Sequence, residues 1–382
     1  MTVPVTLPSP VVAPSRAGLT DRLGRTATDL RVSLTDRCNL ACTYCMPAAF
    51  ADAASAADSL SPPVPPQRQT MTRAEIVRLV SIASRDLGVT AVRLTGGEPL
   101  LRGDLPDIIA DLARLTPRPE IALTTNGVGF ASRAARLHDA GLDRVNISLD
   151  TLDPHVFSAL TGKNAHARVL DAIETSLIVF DTVKVNAVLT PVTLDHAPRL
   201  VAWCLARSVD IRFIEHMPLG GGPWGADTFV SAANLHNVLS RDFVLTPWIG
   251  DRAGAPAQRF DVYPRGGTGS FVDAMPGDAP ASRPLGRIGI IASITQPFCA
   301  DCRRTRLTAD GAVRSCLFDD TETDLLTSLR SGASDADLAA LWRDAMWTKR
   351  PGHGCDNGPL ASLADATATP LTRTRTMSAI GG

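Results

Sequence analysis

The chain has 382 residues, 45% hydrophobic and 20% charged, enough to bury a large core and too apolar for a disordered protein. Lys plus Arg (38) nearly balances Asp plus Glu (39), which argues against a polybasic nucleic-acid coat or a basic membrane binder. Aromatic residues, at 5%, are too few for a platform that stacks bases along a strand. No apolar run is long enough to cross a bilayer. Residues 1–17 hold four prolines and lack the charged-then-apolar order of a secretory leader. A cytoplasmic protein is therefore expected, whose eight cysteines serve metal binding or catalysis rather than disulfides.

In chain order, β-rich runs fall at residues 30–34, 91–95, 121–125, 144–149, 184–189 and 211–215, with amphipathic stretches between them. The clearest of these begins at Thr72, where Glu75 three residues on has capping-box spacing. Ile76, Val80, Ala83 and Leu87 then recur along one helix face. Strands alternating with helices imply a parallel sheet with right-handed crossovers. Six such units predict an α/β fold, a partial (β/α)6 TIM-type barrel, with a doubly wound sheet as the alternative. Chemistry in either fold sits at the C-terminal strand ends. There the chain places Cys38, Gly96 and Gly97, Asn126 and Gly127, Asp150, and Met217. Stretches 1–18, 48–70 and 265–286 are rich in Pro, Gly, Ala or Ser and read as loops. The expected division is a flexible arm (1–18), a core barrel (19–240) with an insertion at 48–70, and a C-terminal domain (241–382).

Cys38, Cys42 and Cys45 form a C-x3-C-x2-C loop directly after the first strand. Three thiolates on a four-iron cubane leave one iron without a protein ligand, open to a small molecule. A structural zinc ion would want a fourth ligand nearby, and the next histidine downstream is His138. This loop, with Tyr44 before its last cysteine, resembles the signature of the radical S-adenosylmethionine (SAM) superfamily. Gly96-Gly97-Glu98-Pro99 resembles that superfamily's GGEP turn, which contacts the methionine amino group. A second trio, Cys299, Cys302 and Cys316, reads either as a zinc knuckle completed by His353 or Cys355 or as a second cluster. Beside a first cluster the second reading is favoured. Arg303, Arg304 and Arg306 follow at once, and such planar forks suit a polyanion.

Both trios, the GGEP turn, Thr35-Asp36-Arg37-Cys38-Asn39-Leu40, Asn146-Ile147-Ser148-Leu149-Asp150 and the terminal Gly381-Gly382 together resemble one family. It is the GTP 3',8-cyclases of molybdenum cofactor biosynthesis. The resemblance implies a radical SAM barrel with a C-terminal α+β extension carrying a second iron-sulfur cluster. It implies two 4Fe-4S clusters, on Cys38, Cys42 and Cys45 and on Cys299, Cys302 and Cys316. SAM would be lined by Tyr44, Gly97, Ser148 and Met217. GTP would be held by Arg31, Arg93, Thr124, Lys184, Arg212, Arg304, Thr305 and Arg306. Gly381 and Gly382 would enter the active site, where lack of a Cβ permits close approach. The implied reaction turns GTP into (8S)-3',8-cyclo-7,8-dihydroguanosine 5'-triphosphate through 5'-deoxyadenosyl-radical abstraction of the ribose 3' hydrogen. An external one-electron donor, a homodimer and the next enzyme of the pathway are the implied partners, without nucleic acid or membrane.

Two features depart from the family. Ala91 stands where a Lys is usual, and the 48–70 insertion is long. Another radical SAM enzyme with an auxiliary cluster and a zinc-stabilised nucleotide-binding protein are the competing readings. Cys204 lies in a helical stretch and reads as a small buried hydrophobe.

Overall fold

The computed structural model describes residues 18–45, 70–219, 224–225, 227–252, 254–265, 283–352 and 375–380. The arm up to Ala17, the insertion up to Gln69, residues 266–282, His353, Cys355, Gly381 and Gly382 lie outside them.

Each expected β-run is a strand within one residue of its predicted ends: β1 (Asp29–Ser33), β2 (Ala91–Thr95), β3 (Glu120–Thr125), β4 (Arg144–Ser148), β5 (Val183–Leu189) and β6 (Asp210–Glu215). All six pair in parallel, in sequence order. The crossovers carry α1 (Arg73–Asp86), α2 (Leu105–Ala113), α3 (Ala134–Asp139), α4 (Pro154–Thr161), α5 (His166–Val179) and α6 (Pro191–Leu205). The capping box forms: Thr72 N–H donates to Glu75 Oε2 at 2.7 Å and Glu75 N–H to Thr72 Oγ1 at 3.3 Å. Ile76, Val80, Ala83 and Leu87 are all buried against the sheet, each of the larger side chains contributing about 1.5–3 kcal/mol. Cys204 on α6 is buried in the same core.

The barrel is wider than six strands. After α7 (Ala232–Leu239), the C-terminal third adds β7 (Phe243–Pro247), β8 (Gln258–Pro264) and β9 (Gly286–Ile291) at one edge. β9 runs parallel to β6, with β8 and β7 antiparallel beyond it. The chain then crosses to the opposite edge, where β10 (Arg304–Leu307) runs parallel to β1. β11 (Ala312–Arg314) and β12 (Thr323–Asp324) continue antiparallel. Eight parallel strands thus curve as a partial barrel inside a twelve-stranded sheet. The C-terminal extension is woven into both edges of that sheet. α8 (Leu325–Arg330), α9 (Asp335–Trp347) and the short α10 (Met377–Ile380) complete the described elements.

Parallel strands buried on both faces read as continuous apolar runs. These strands alternate instead. Leu30, Val32, Val92, Leu94, Val145, Ile147, Val185 and Ile211 face the helices and are buried, while Arg31, Arg93, Asn186 and Arg212 line the interior. The polar phase marks the barrel interior as a site rather than a packed core.

Candidate active site

A cavity of about 670 Å³ occupies the barrel interior and touches both cysteine trios. The Cys38–Cys45 loop lies beyond the C-terminal end of β1, as expected. The second trio lies at the other end of its strand. Cys299 and Cys302 lead into β10, whose first residue pairs with Asp29 at the start of β1. Cys316 follows β11, which returns antiparallel to β10, so the thirteen-residue gap is a hairpin that brings the third sulfur back beside the first two. The expectation that all chemistry gathers at C-terminal strand ends therefore holds for one trio only.

The GGEP turn is shaped first by protein contacts. A Cβ at Gly96, which has φ +132°, would lie 2.3 Å from Thr35 O, and one at Gly97 would lie 2.2 Å from Arg37 O. The glycines let this turn sit directly on the backbone entering the cysteine loop. Gly97 N–H donates to Thr35 O and Glu98 N–H to Arg37 O, both at 2.8 Å. Glu98 is fully buried, and burial pushes its carboxyl up to about 7. It accepts from Leu100 N–H (3.0 Å), Thr125 Oγ1 (2.7 Å) and Asn126 N–H (2.7 Å). Those donors occupy its carboxylate, so it welds the ends of β2 and β3 together.

The trios fit iron-sulfur clusters. Burial pushes the Cys38 thiol up to about 11, Cys45 to about 12, and Cys42 well above its ordinary value. Thiolates there need a bound cation to balance them. Neutral donors already point at the sulfurs, as in cluster sites: Leu40 N–H (3.5 Å) and Asn126 Nδ2 (3.8 Å) at Cys38, and Ser378 N–H at Cys45. Among the described residues no three His, Cys, Asp or Glu side chains gather closely enough for a single metal ion. Spread sulfurs suit a larger core, in which each ligand binds its own iron. At Cys302 burial acts to raise the thiol, yet Lys349 and Arg304 overcome it and hold it below its usual value.

Tyr44, Gly97, Ser148 and Met217 line the cavity, Tyr44 within the first cysteine loop and Met217 packed on the Leu219–Phe229–Ile294–Phe318 cluster that also meets Cys316. Tyr44 is fixed by its O–H donating to Asp150 Oδ2 at 2.6 Å, and Val188 N–H donates to Asp150 Oδ1 at 2.8 Å. Met377 and Ser378 also line the cavity, Ser378 at Cys45 and Met377 on the cluster beside Cys316. Arg375 seats them through bonds to Asp310 (2.8 and 2.9 Å) and Glu322 (2.5 Å).

Between the trios runs a belt of cations: Arg31, Arg93, Lys184, Arg212, Arg304 and Arg306, with Thr124 beside them. Burial and mutual repulsion lower Arg31 to about 9, and Arg306 well below its ordinary value. Burial is also the largest cause at Arg93 and Arg212, each lowered to about 10, and at Lys184, lowered to about 8. Asp29, held below the usual carboxylate range by four arginines that outweigh its burial, offsets part of this charge. Among the described residues Arg31 Nε, Arg93 Nε and Arg304 Nη2 are buried and meet no acceptor. Such a set suits a polyanion.

Thr305 is not brought to the cavity. Strand alternation turns its side chain to the helix side, where Trp342 Nε1–H donates to its Oγ1 at 3.0 Å. Gly381 and Gly382 lie just past the described Ile380, outside the described residues. Several cavity residues escaped the sequence reading. Arg144 shares the inward phase of Asn146 and Ser148, a signal that was there to use; its Nη2 donates to Glu120 Oε2 at 3.0 Å in an ion pair with that carboxylate. Arg259 enters from β8, its guanidinium 4.7 Å over the Trp248 ring, and nothing local announces it.

A model of the radical SAM superfamily matches residues 32–204, and one described as Molybdenum Cofactor Synthesis C matches residues 209–355. A GTP 3',8-cyclase of Paenarthrobacter nicotinovorans is 47% identical over 380 residues, covering 98% of this chain and 100% of that protein. The GTP 3',8-cyclase of Mycobacterium marinum is 46% identical over 373 residues, covering 97% and 94%. Among solved structures, Streptococcus suis SuiB bound to S-adenosylmethionine has a TM-score of 0.54 at 16% identity, over 83% of this chain and 66% of that one, a likeness of fold.

Proposed function

Because the chain belongs to the GTP 3',8-cyclases of the radical SAM superfamily, we propose that it converts GTP to (8S)-3',8-cyclo-7,8-dihydroguanosine 5'-triphosphate in the cavity between its cysteine trios. This is the first step of molybdenum cofactor biosynthesis. Cys38, Cys42 and Cys45 hold one 4Fe-4S cluster, and Cys299, Cys302 and Cys316 hold the other. When bound, the first cluster and SAM, fed by an external one-electron donor, supply the radical chemistry that removes the ribose 3' hydrogen. The protein's own residues bind, orient and exclude water. Tyr44, Gly97, Ser148 and Met217 wall the SAM end. Arg31, Arg93, Arg304 and Arg306 hold GTP beside the second trio, with Thr124, Lys184 and Arg212 across the barrel. Arg144 and Arg259 add to the same field. Burial and then mutual repulsion lower these cations' proton affinity, and a triphosphate offsets both. Gly381 and Gly382 would enter the active site, as the family implies. Functionally the chain divides near residue 240, the barrel (19–240) holding SAM and the C-terminal part (241–382) supplying the second trio.

The observation that carries this reading is the cation belt joining two cysteine trios across one cavity, with buried guanidinium N–H groups meeting no acceptor among the described residues. The test is anaerobic incubation with GTP, SAM and dithionite. GTP-dependent release of 5'-deoxyadenosine supports it, and release indifferent to GTP refutes it. Cys316→Ser is expected to abolish GTP turnover and to lower bound iron from about eight to about four per chain. The reading also includes a cytoplasmic homodimer that passes its product to the next enzyme. Thiols that ligate iron suit a reducing compartment, and sedimentation of the holoenzyme tests the dimer.

A further inference from the structure

Past α9 the chain turns back over the second cysteine loop. Lys349 is buried there, and its Nζ donates to Arg304 O at 2.8 Å and to Cys302 Sγ at 3.3 Å. The following residues are braced on the same loop. Arg25 Nη1 bridges Cys299 O (2.8 Å) and Pro351 O (2.7 Å), while its Nη2 reaches Arg350 O (2.7 Å). The ammonium is therefore clamped against one sulfur of the second trio. The first trio differs: its sulfurs receive neutral N–H groups from Leu40, Asn126 and Ser378.

We propose that Lys349 is a positioning residue that makes the second cluster the more easily reduced of the two, by setting a buried positive charge on the Cys302 sulfur. The proposal rests on the assignment of Cys299, Cys302 and Cys316 to that cluster. One-electron reduction adds a negative charge to the iron-sulfur core, and a buried cation a few ångströms away favours the reduced form. Neutral donors do this less well. One chain thus places a charge-stabilised cluster on the purine side of the cavity and a neutrally ligated one on the SAM side. With both clusters bound, Lys349 would favour the reduced form of the second and leave the first the stronger reductant. Lys349 also grips the Arg304 carbonyl, so the same side chain ties the cluster loop to the arginine strand.

The test uses anaerobically reconstituted full-length holoenzyme, with iron and sulfide counts and a dithionite redox titration followed by electron paramagnetic resonance. Lys349→Met is expected to keep about eight iron per chain and to lower the second cluster's potential by about 59 mV or more. That is a tenfold shift of a one-electron equilibrium. The first cluster's signal does not move, and Lys349→Arg restores most of the loss. Both clusters retained at parental potentials in Lys349→Met overturns the proposal. Should the Met variant lose the second cluster, Lys349→Gln decides, because it keeps a donor without the charge. A lowered potential in Lys349→Gln supports the proposal, and a parental potential overturns it. A parent chain binding about four iron defeats the cluster assignment itself, and the proposal with it.

Discussion

GTP binding is expected to weaken as pH rises through 8, because of Lys184. Burial, then repulsion from Arg212, lowers its ammonium to about 8, and Asp210 at 3.8 Å only partly compensates. Below pH 8 the side chain is charged before ligand arrives. Above it the neutral amine must take up a proton to meet a triphosphate, so affinity falls by up to tenfold per pH unit, about 1.4 kcal/mol. The fall ends once the charged contact, worth about 2 kcal/mol for a hydrogen bond to an ionised group, has been lost. That limit is roughly thirtyfold. Equilibrium binding of GTP without SAM from pH 6.5 to 10, with guanosine as control for titration of the base, measures the curve. Lys184→Gln is expected to bind about thirtyfold more weakly at pH 7, with a flatter profile. A parent whose GTP affinity is level between pH 7.5 and 9, or a Gln variant with the parental slope, refutes the placement of Lys184 at the phosphates.

Gly97→Ala would drive a Cβ to 2.2 Å from the Arg37 carbonyl oxygen, a backbone atom that cannot rotate aside. Bound iron is expected to drop to about half, with about 1–3 kcal/mol lost in stability; an iron count equal to the parent's would show that the turn yields. Tyr44→Phe leaves the buried Asp150 carboxylate without its 2.6 Å donor. Denaturant unfolding should show about 1–3 kcal/mol of destabilisation, and an unchanged midpoint would count against that bond. Arg375→Met removes the fork on Asp310 and Glu322 that seats the C-terminal segment. GTP-dependent 5'-deoxyadenosine formation should fall more than tenfold while SAM and GTP affinities change less than threefold; parental turnover would detach the tail from catalysis.

The amino-acid sequence by itself determined the six strands, the capped first helix and both cysteine trios, while the roles of Arg31, Arg93, Lys184 and Arg212 came only with the family resemblance. Apart from Cys316, which a β-hairpin returns to Cys299 and Cys302, those features repeat every two to four residues or lie within one loop, so local backbone geometry specifies them. The same alternation, applied one residue at a time, would have turned Thr305 away from GTP and brought Arg144 in. Tertiary structure alone decided that the C-terminal third extends both edges of the barrel and that the second trio opens on the opposite end of the strands. It alone decided that the Glu98 carboxylate is occupied by three donors, and that Arg259 and Lys349 reach the cavity wall and the Cys302 sulfur. Lys349 and Cys302 stand 47 residues apart in the chain. No local period connects them, because only the path of the chain around the barrel brings the segment after a late helix back onto an earlier loop.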